Sequence, residues 1–491
     1  MIQYQSTRGS VNKKSASQAI IAGIAEDKGL YVPERIPSLP FSWEEGKNMT
    51  YQQVAERVMG AFFDDYTPDE IRTCVKGAYD EKFEEAEIVP VVPAGKGIFL
   101  ELYHGKTAAF KDMALSILPY LLTTALRKEG ETHKICILTA TSGDTGKAAL
   151  EGFADVPGTE IVVFYPDQGV SQVQERQMVT QEGGNTHVFS IRGNFDHAQT
   201  GVKEIFNDDG FRKELEQKNV KLSSANSINI GRLVPQVAYY VYGYMKLIQR
   251  GVLKPGEPMN VVVPTGNFGN ILAAYYSHQM GIPVNRFICA SNKNRVLTDF
   301  IQTGVYDIRR DFYLTNSPSM DILISSNLER LLFHLAQEDG QEVQRMMNAL
   351  EKDKQYQVTD TIRQGMASFY GGSCTVEETN KTIGRVFEKE GYLMDTHTAV
   401  AYKVYEEYLE ETGDSTPTLI ASTASAYKFA DSVAEAIGLP KEEDEFAYIE
   451  AVHQATGVRI PKELQGLKEK PIRHNQVLSI DEMKEAVRGA V

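Results

Sequence analysis

The chain has 491 residues, 42% of them hydrophobic and 24% charged, with a formal charge of −15 at neutral pH, which is enough for two or three packed domains. The acidic balance argues against nucleic acid or an anionic membrane as partner, and no run reaches the roughly 18 apolar residues of a spanning helix. The first residues carry no apolar secretory core, and Cys74, Cys136, Cys289 and Cys374 include no C-x-x-C pair, so a reduced, cytoplasmic protein without a metal site is expected.

Residues 1–95 read as helices and loops, with a helix over Tyr51–Phe62 and a connection across residues 33–40. From about residue 96, β-rich runs at 134–139, 160–165, 186–191, 260–263, 286–290 and 418–421 alternate with amphipathic stretches at 173–181, 196–206, 233–248 and 271–279. That alternation predicts an α/β fold of parallel-rich sheets flanked by helices, with ligands in the loops after strands. The expected division is 1–95, 96–220 and 221–491.

Residues 104–114 read His-Gly-Lys-Thr-Ala-Ala-Phe-Lys-Asp-Met-Ala, and Lys111 leads into an apolar stretch expected to be one long helix over 113–126. A lysine there is commonly a snorkelling or capping residue. A desolvated lysine also has an accessible neutral amine, the form a Schiff base requires. Asp112 suits the positive end of the helix dipole and reads as structural.

Residues 139–149, Thr-Ala-Thr-Ser-Gly-Asp-Thr-Gly-Lys-Ala-Ala, again join a strand to a helix. They are not a P-loop, because Thr141 stands at the first glycine position and Ala148 at the magnesium-binding Ser/Thr. What remains is a set of donors, Ser142, Thr145 and the backbone, suited to a small carboxylate. Residues 260–270, Asn-Val-Val-Val-Pro-Thr-Gly-Asn-Phe-Gly-Asn, are either an ordinary strand-to-helix turn or an anion cup. Gly266 and Gly269 would turn the N–H groups inward at a helix start. Lacking the full G-x-G-x-x-G, this loop suits a monophosphate better than a dinucleotide.

HGKTAAFKD, ATSGDTG, PTGNFGN, SANSINIGR and STASAYKF, in that order, resemble the signature segments of the threonine synthase family, as do YQSTRG and GIAEDKGLYVPERIP nearer the start. The resemblance runs from about residue 4 to residue 430 and is nearest to the microbial and fungal branch. It implies fold-type II, similar to the tryptophan synthase β chain, with a helical N-terminal domain and pyridoxal 5'-phosphate (PLP) as cofactor. It further implies conversion of O-phospho-L-homoserine and water to L-threonine and phosphate by a monomer.

Position by position, the resemblance makes Lys111 the Schiff-base lysine and acid/base group, and sets Gly266, Asn267, Phe268, Gly269 and Asn270 around the cofactor phosphate. Thr423 would meet the pyridine nitrogen, and Asp144 the ring edge. Ser142, Gly143 and Thr145 would surround the substrate carboxylate. Asn226, Ser227 and Arg232 would take the substrate phosphate, for which a guanidinium is a matched planar fork. His104 would orient that phosphate or the loop around Lys111.

Three positions depart from the family pattern. Lys106 replaces a common Pro and reads as an exposed loop lysine or an added phosphate contact. Ile230-Gly231 replace an aromatic and a small residue ahead of Arg232. Asp144 stands where other branches carry Asn, and a carboxylate beside a phenolate would be repulsive unless one is protonated. Tyr239, Tyr240, Tyr242 and Tyr244 read as core packing, and the acidic run at 442–445 as a solvated segment. The competing readings are another fold-type II lyase, such as a threonine or serine dehydratase, and a non-catalytic paralogue binding a phosphorylated metabolite.

Overall fold

The computed structural model describes every residue of the chain except Ser142 and Gly169. Its α/β part is built on two sheets. The larger runs Phe369–Ser373, Val284–Ser291, Met259–Pro264, Thr418–Ser422, Gly97–Glu101, Val91–Ala94, parallel up to the closing antiparallel pair. The smaller is parallel, in the order Val477–Leu478, Thr186–Ile191, Thr159–Pro166, Lys134–Ala140, Val220–Ser223. Strands such as Met259–Pro264 and Thr418–Ser422 are buried at every residue, as helices on both faces of a parallel sheet require.

Sheet membership does not follow the chain in blocks. Gly97–Glu101 lies beside Thr418–Ser422, with Leu100 opposite Ala421. The Lys111 turn therefore follows the next-to-last strand of the larger sheet, although the strands after it build the smaller one. Near the other end of the chain, Val477–Leu478 returns to pair with Thr186–Ile191.

Before residue 95 the helix Tyr51–Phe62 forms as the sequence predicts, with Thr50 and Gln53 in a capping box. Tyr51, Val54, Val58 and Phe62 make the buried stripe that packs on the 20-residue helix Ile230–Gln249. The segment is not all helix and loop, however. Tyr4–Ser6 pairs antiparallel with Tyr31–Pro33, and Val91–Ala94 joins the larger sheet. Strands of three or four residues are too short to show a two-residue alternation.

The stretch expected as one helix over 113–126 is two, Asp112–Leu115 and Leu118–Lys128. Pro119 has no N–H for the Leu115 carbonyl and would clash with it in a continuous helix. Gly152 of the helix Asp144–Phe153 takes up the opening: a Cβ there would lie 2.2 Å from the Leu115 oxygen. The break thus lets the Asp144 helix pack directly behind the lysine turn. Among the described residues, no helix is long and apolar enough to cross a membrane.

Candidate active site

Lys111 sits at the start of Asp112–Leu115, on a turn stapled to the segment after Thr418–Ser422. Phe110 N–H donates to the Thr423 carbonyl (2.8 Å) and Ser425 N–H to the Ala108 carbonyl (3.0 Å). These bonds bring Lys111 and Thr423, far apart in sequence, to one place. Thr423 is held from behind, where its N–H bonds Thr398 Oγ1 at 3.3 Å and Thr398 donates to the buried Asp395 carboxylate. Asp112 is turned away from the site and accepts from Thr107 N and Thr107 Oγ1, both at 2.7 Å. Burial pushes its carboxyl up to about 7 despite those bonds. Burial pushes the Lys111 amine down, opposed by the charge of Asp144.

The loop between Met259–Pro264 and the helix Gly269–Gln279 has the form of an anion cup. Its outward carbonyls are tied back: Ser325 Oγ donates to Gly266 O at 2.6 Å, and Asn327 N donates to Asn267 O at 3.0 Å. Phe268 caps the helix with φ +64°, a left-handed conformation that a bulky residue adopts only when its surroundings enforce it. First-turn N–H groups have no partner within a helix, which leaves those of Gly269–Gln279 as free donors at the loop. Gly266 is dictated by close approach, since a Cβ would meet the Ser319 carbonyl oxygen at 2.5 Å. Asn270 Oδ1 accepts from Tyr240 OH, which leaves its buried Nδ2 without a partner.

The carboxylate loop is organised differently. Of its residues, Ser142 lies outside the described set. Thr141 Oγ1 accepts from Gly143 N (3.0 Å) and Gly146 N (2.9 Å) and so shapes the turn. Asp144, buried at the start of its helix, pairs with Lys428 Nζ at 2.8 Å and accepts from Gln174 Nε2 at 2.9 Å. Burial alone would raise this carboxyl; Lys428 first, and then Lys111, hold it well below the usual carboxylate range. The repulsion expected of a lone carboxylate here is thus compensated by a lysine.

A second anion-seeking centre stands at Arg232, in the first turn of Ile230–Gln249. One guanidinium nitrogen donates to the Ala225 carbonyl at 2.7 Å, while Nε is buried without a partner. Burial pushes this group down to about 10, and no carboxylate lies within ion-pair distance of it among the described residues. The segment holding Asn226 and Ser227 is linked to the cup, because Asn327 Nδ2 donates to both Ser227 O (3.3 Å) and Asn267 O (3.1 Å).

Several sequence readings change. His104 Nε2 is bonded to Glu101 Oε2 at 2.8 Å and its ring lies on Tyr103, so it steadies the loop ahead of Lys111. Lys106 is neither free nor aimed at the cup: it pairs with Glu463 at 3.2 Å. Tyr239, Tyr240, Tyr242 and Tyr244 are core residues, as read from the sequence, and Tyr240 OH also bonds Asn270 while Tyr239 OH bonds Gln236 at 3.0 Å. In the acidic run, Asp444 caps the helix Glu445–Thr456 and Glu445 accepts from Val173 N. Lys428 was legible only as a letter in STASAYKF, and Gln174 and Gln177 carried no signal beyond their i, i+3 spacing.

Models of known families match the chain in three parts: threonine synthase N terminus over residues 3–79, pyridoxal-phosphate dependent enzyme over 94–424, and threonine synthase, C-terminal over 398–488. Threonine synthase from Pseudomonas aeruginosa is 37% identical over 444 residues, covering 89% of this chain and 90% of that protein. Threonine synthase-like 1 from Homo sapiens is 39% identical over 440 residues, covering 87% of this chain; the chain spans 58% of that relative's length. The crystal structure of PLP-bound threonine synthase from Brucella melitensis superimposes with a TM-score of 0.88 at 35% identity, covering 100% of this chain and 99% of that one.

Proposed function

Since the chain belongs to the threonine synthase family of pyridoxal-phosphate-dependent, fold-type II enzymes, we propose that it converts O-phospho-L-homoserine and water to L-threonine and phosphate. The observation that supports the reading is a pair of buried donors without partners, on two separate segments, in addition to Lys111. The buried, unpartnered Asn270 Nδ2 belongs to the first, and the buried, unpartnered Arg232 Nε to the second. A dehydratase acting on serine or threonine needs only the first.

The cofactor is pyridoxal 5'-phosphate, and the residues present fit it. The cup of Gly266, Asn267, Phe268, Gly269 and Asn270 suits its phosphate, because N–H groups at a helix start favour an anion. Lys111 would bond its aldehyde carbon. Thr423 would face its ring nitrogen with a neutral hydroxyl, and Asp144 its opposite edge. When bound, the cofactor supplies an electron sink conjugated to the substrate Cα.

Around it, Gly143 and Thr145, with Ser142 in the same loop, would bind the substrate carboxylate. Asn226, Ser227 and Arg232 would bind its phosphate, the guanidinium matching the phosphate oxygens. Lys111 Nζ would be placed to accept the protons that leave Cα and Cβ as phosphate departs from Cγ, and to return protons at Cγ and Cα while water supplies the hydroxyl at Cβ. Its lowered basicity suits both directions of transfer. His104 would hold the loop ahead of Lys111 rather than touch substrate.

An assay of inorganic phosphate and threonine from O-phospho-L-homoserine tests this reading. Arg232→Met should raise KM by roughly 10- to 100-fold, the worth of charged hydrogen bonds, and Lys111→Ala should abolish turnover. Release of ammonia from serine without phosphate release would overturn it in favour of the dehydratase.

A further inference from the structure

The Asp144–Lys428 pair is the most completely buried ion pair near the lysine turn. The Lys428 side chain is 0% exposed and that of Asp144 is 4% exposed. Its two members come from different sheets. Lys428 lies on the short turn Ala426–Phe429 that follows Thr418–Ser422 of the larger sheet, while Asp144 opens the helix after Lys134–Ala140 of the smaller one.

A second element closes the pair from the side. The helix Gln172–Val179 presents Gln174 and Gln177 one turn apart. Gln174 Nε2 donates to Asp144 Oδ1 at 2.9 Å and Gln177 Oε1 accepts from Lys428 Nζ at 2.6 Å. Each amide matches the sign of its ion, oxygen to the ammonium and N–H to the carboxylate. Gln177 Nε2 remains buried and unpartnered beside the pair. Gln174 approaches so closely that a Cβ on Gly143 would stand 2.6 Å from it.

A buried carboxylate without a cation takes up a proton, so the ionised form of Asp144 depends on the cations around it. The charged groups facing this region are Lys428, Lys111, Arg232 and Asp112, with Glu151 and Lys147 paired farther along the Asp144 helix. Arg232 is directed to the Ala225 carbonyl and Asp112 to Thr107. Lys111 is the group that bonds the cofactor in the reading above. Lys428 is then the cation in contact with Asp144 throughout.

We propose that Lys428 is a positioning residue that keeps Asp144 ionised and aimed at the Lys111 nitrogen, with Gln174 and Gln177 holding both members in register across the two sheets. No bond is made or broken by Lys428 itself. Its effect is to set the charge that the cofactor-bonded nitrogen of Lys111 experiences, and to tie the carboxylate loop to the segment bearing Thr423.

This inference rests on the cofactor reading of Lys111, and the test separates the two. The visible absorption of the PLP-loaded protein is titrated between about pH 5 and pH 9, a range in which an uncompensated buried carboxyl titrates. Lys428→Met should add a titration step absent from the wild-type curve, as Asp144 gains a proton. That step should vanish in Lys428→Met/Asp144→Asn, and Lys428→Arg should restore the wild-type curve. Asp144→Asn, which keeps its shape and serves if Lys428→Met does not fold, should lower the midpoint of the cofactor band by about one pH unit through loss of the nearby negative charge. Unchanged curves in Lys428→Met or Asp144→Asn, or an extra step that persists in the double variant, overturn the proposal. A wild-type protein that shows no visible band with added PLP removes the cofactor reading itself, a result distinct from unchanged curves.

Discussion

The loop at residues 265–269 and the loop at residues 141–144 both join a parallel strand to a helix beside Lys111, yet they are built from different material. The first is made of backbone. Ser325 and Asn327 tie its carbonyls back, and it needs glycine where the Ser319 carbonyl presses on it. The second depends on side chains from elsewhere: Asp144 would be a costly buried charge without Lys428, Gln174 and Gln177. A backbone cup carries its function in its own residues. A charged loop borrows it from partners far along the chain, and the two should respond differently to the same kind of substitution.

The largest difference is expected at the glycines. Gly266→Val drives a side chain against the Ser319 backbone oxygen, at 2.5 Å for Cβ alone. Backbone cannot swing aside, and an overpacking cost of about 1–3 kcal/mol should weaken PLP retention roughly 10- to 100-fold by equilibrium dialysis. Gly143→Ala meets instead the side-chain amide of Gln174 at 2.6 Å, at a position with φ +154°. Its cost, about 1–3 kcal/mol of backbone strain together with the weakened Gln174–Asp144 bond, falls on the carboxylate loop and not on the cup. Cofactor affinity should survive while KM for substrate rises. Equal losses of cofactor in both variants would erase the contrast between the loops.

A third contrast concerns the lysine turn. Asp112 has a carboxyl raised to about 7 from its ordinary 3.8. Between those values the folded chain binds a proton that the unfolded chain has released, so stability falls as pH rises through that window and levels off above it. Asp112→Asn removes the titration. Thermal midpoints measured across that window should fall less steeply in the variant than in the wild type; parallel curves would show that Asp112 is already ionised in the fold.

How much of this was legible beforehand divides along the same line. The helix Tyr51–Phe62 and the strand Thr186–Ile191 stand where periodicity put them, and the other main strands differ by a residue or two at their ends. The cup could be read because its strand, glycines and helix start are contiguous. The single helix expected over 113–126 failed on Pro119, whose effect is local but whose consequence, the close packing of Gly152 on Leu115, is tertiary. The short strands before residue 95 failed because three residues hold no period.

Composition, strand–helix alternation and ordered motifs were sufficient for the fold class, for the family and for Lys111 as the centre of interest, since each is written in neighbouring residues. The charge state of Asp144, the commitment of His104 to Glu101 and of Lys106 to Glu463, and the unpartnered Nε of Arg232 were decided only by folding. The physical reason is that burial and charge compensation are properties of a place, and the groups that make that place come from two sheets and from residues as distant as Asp144 and Lys428.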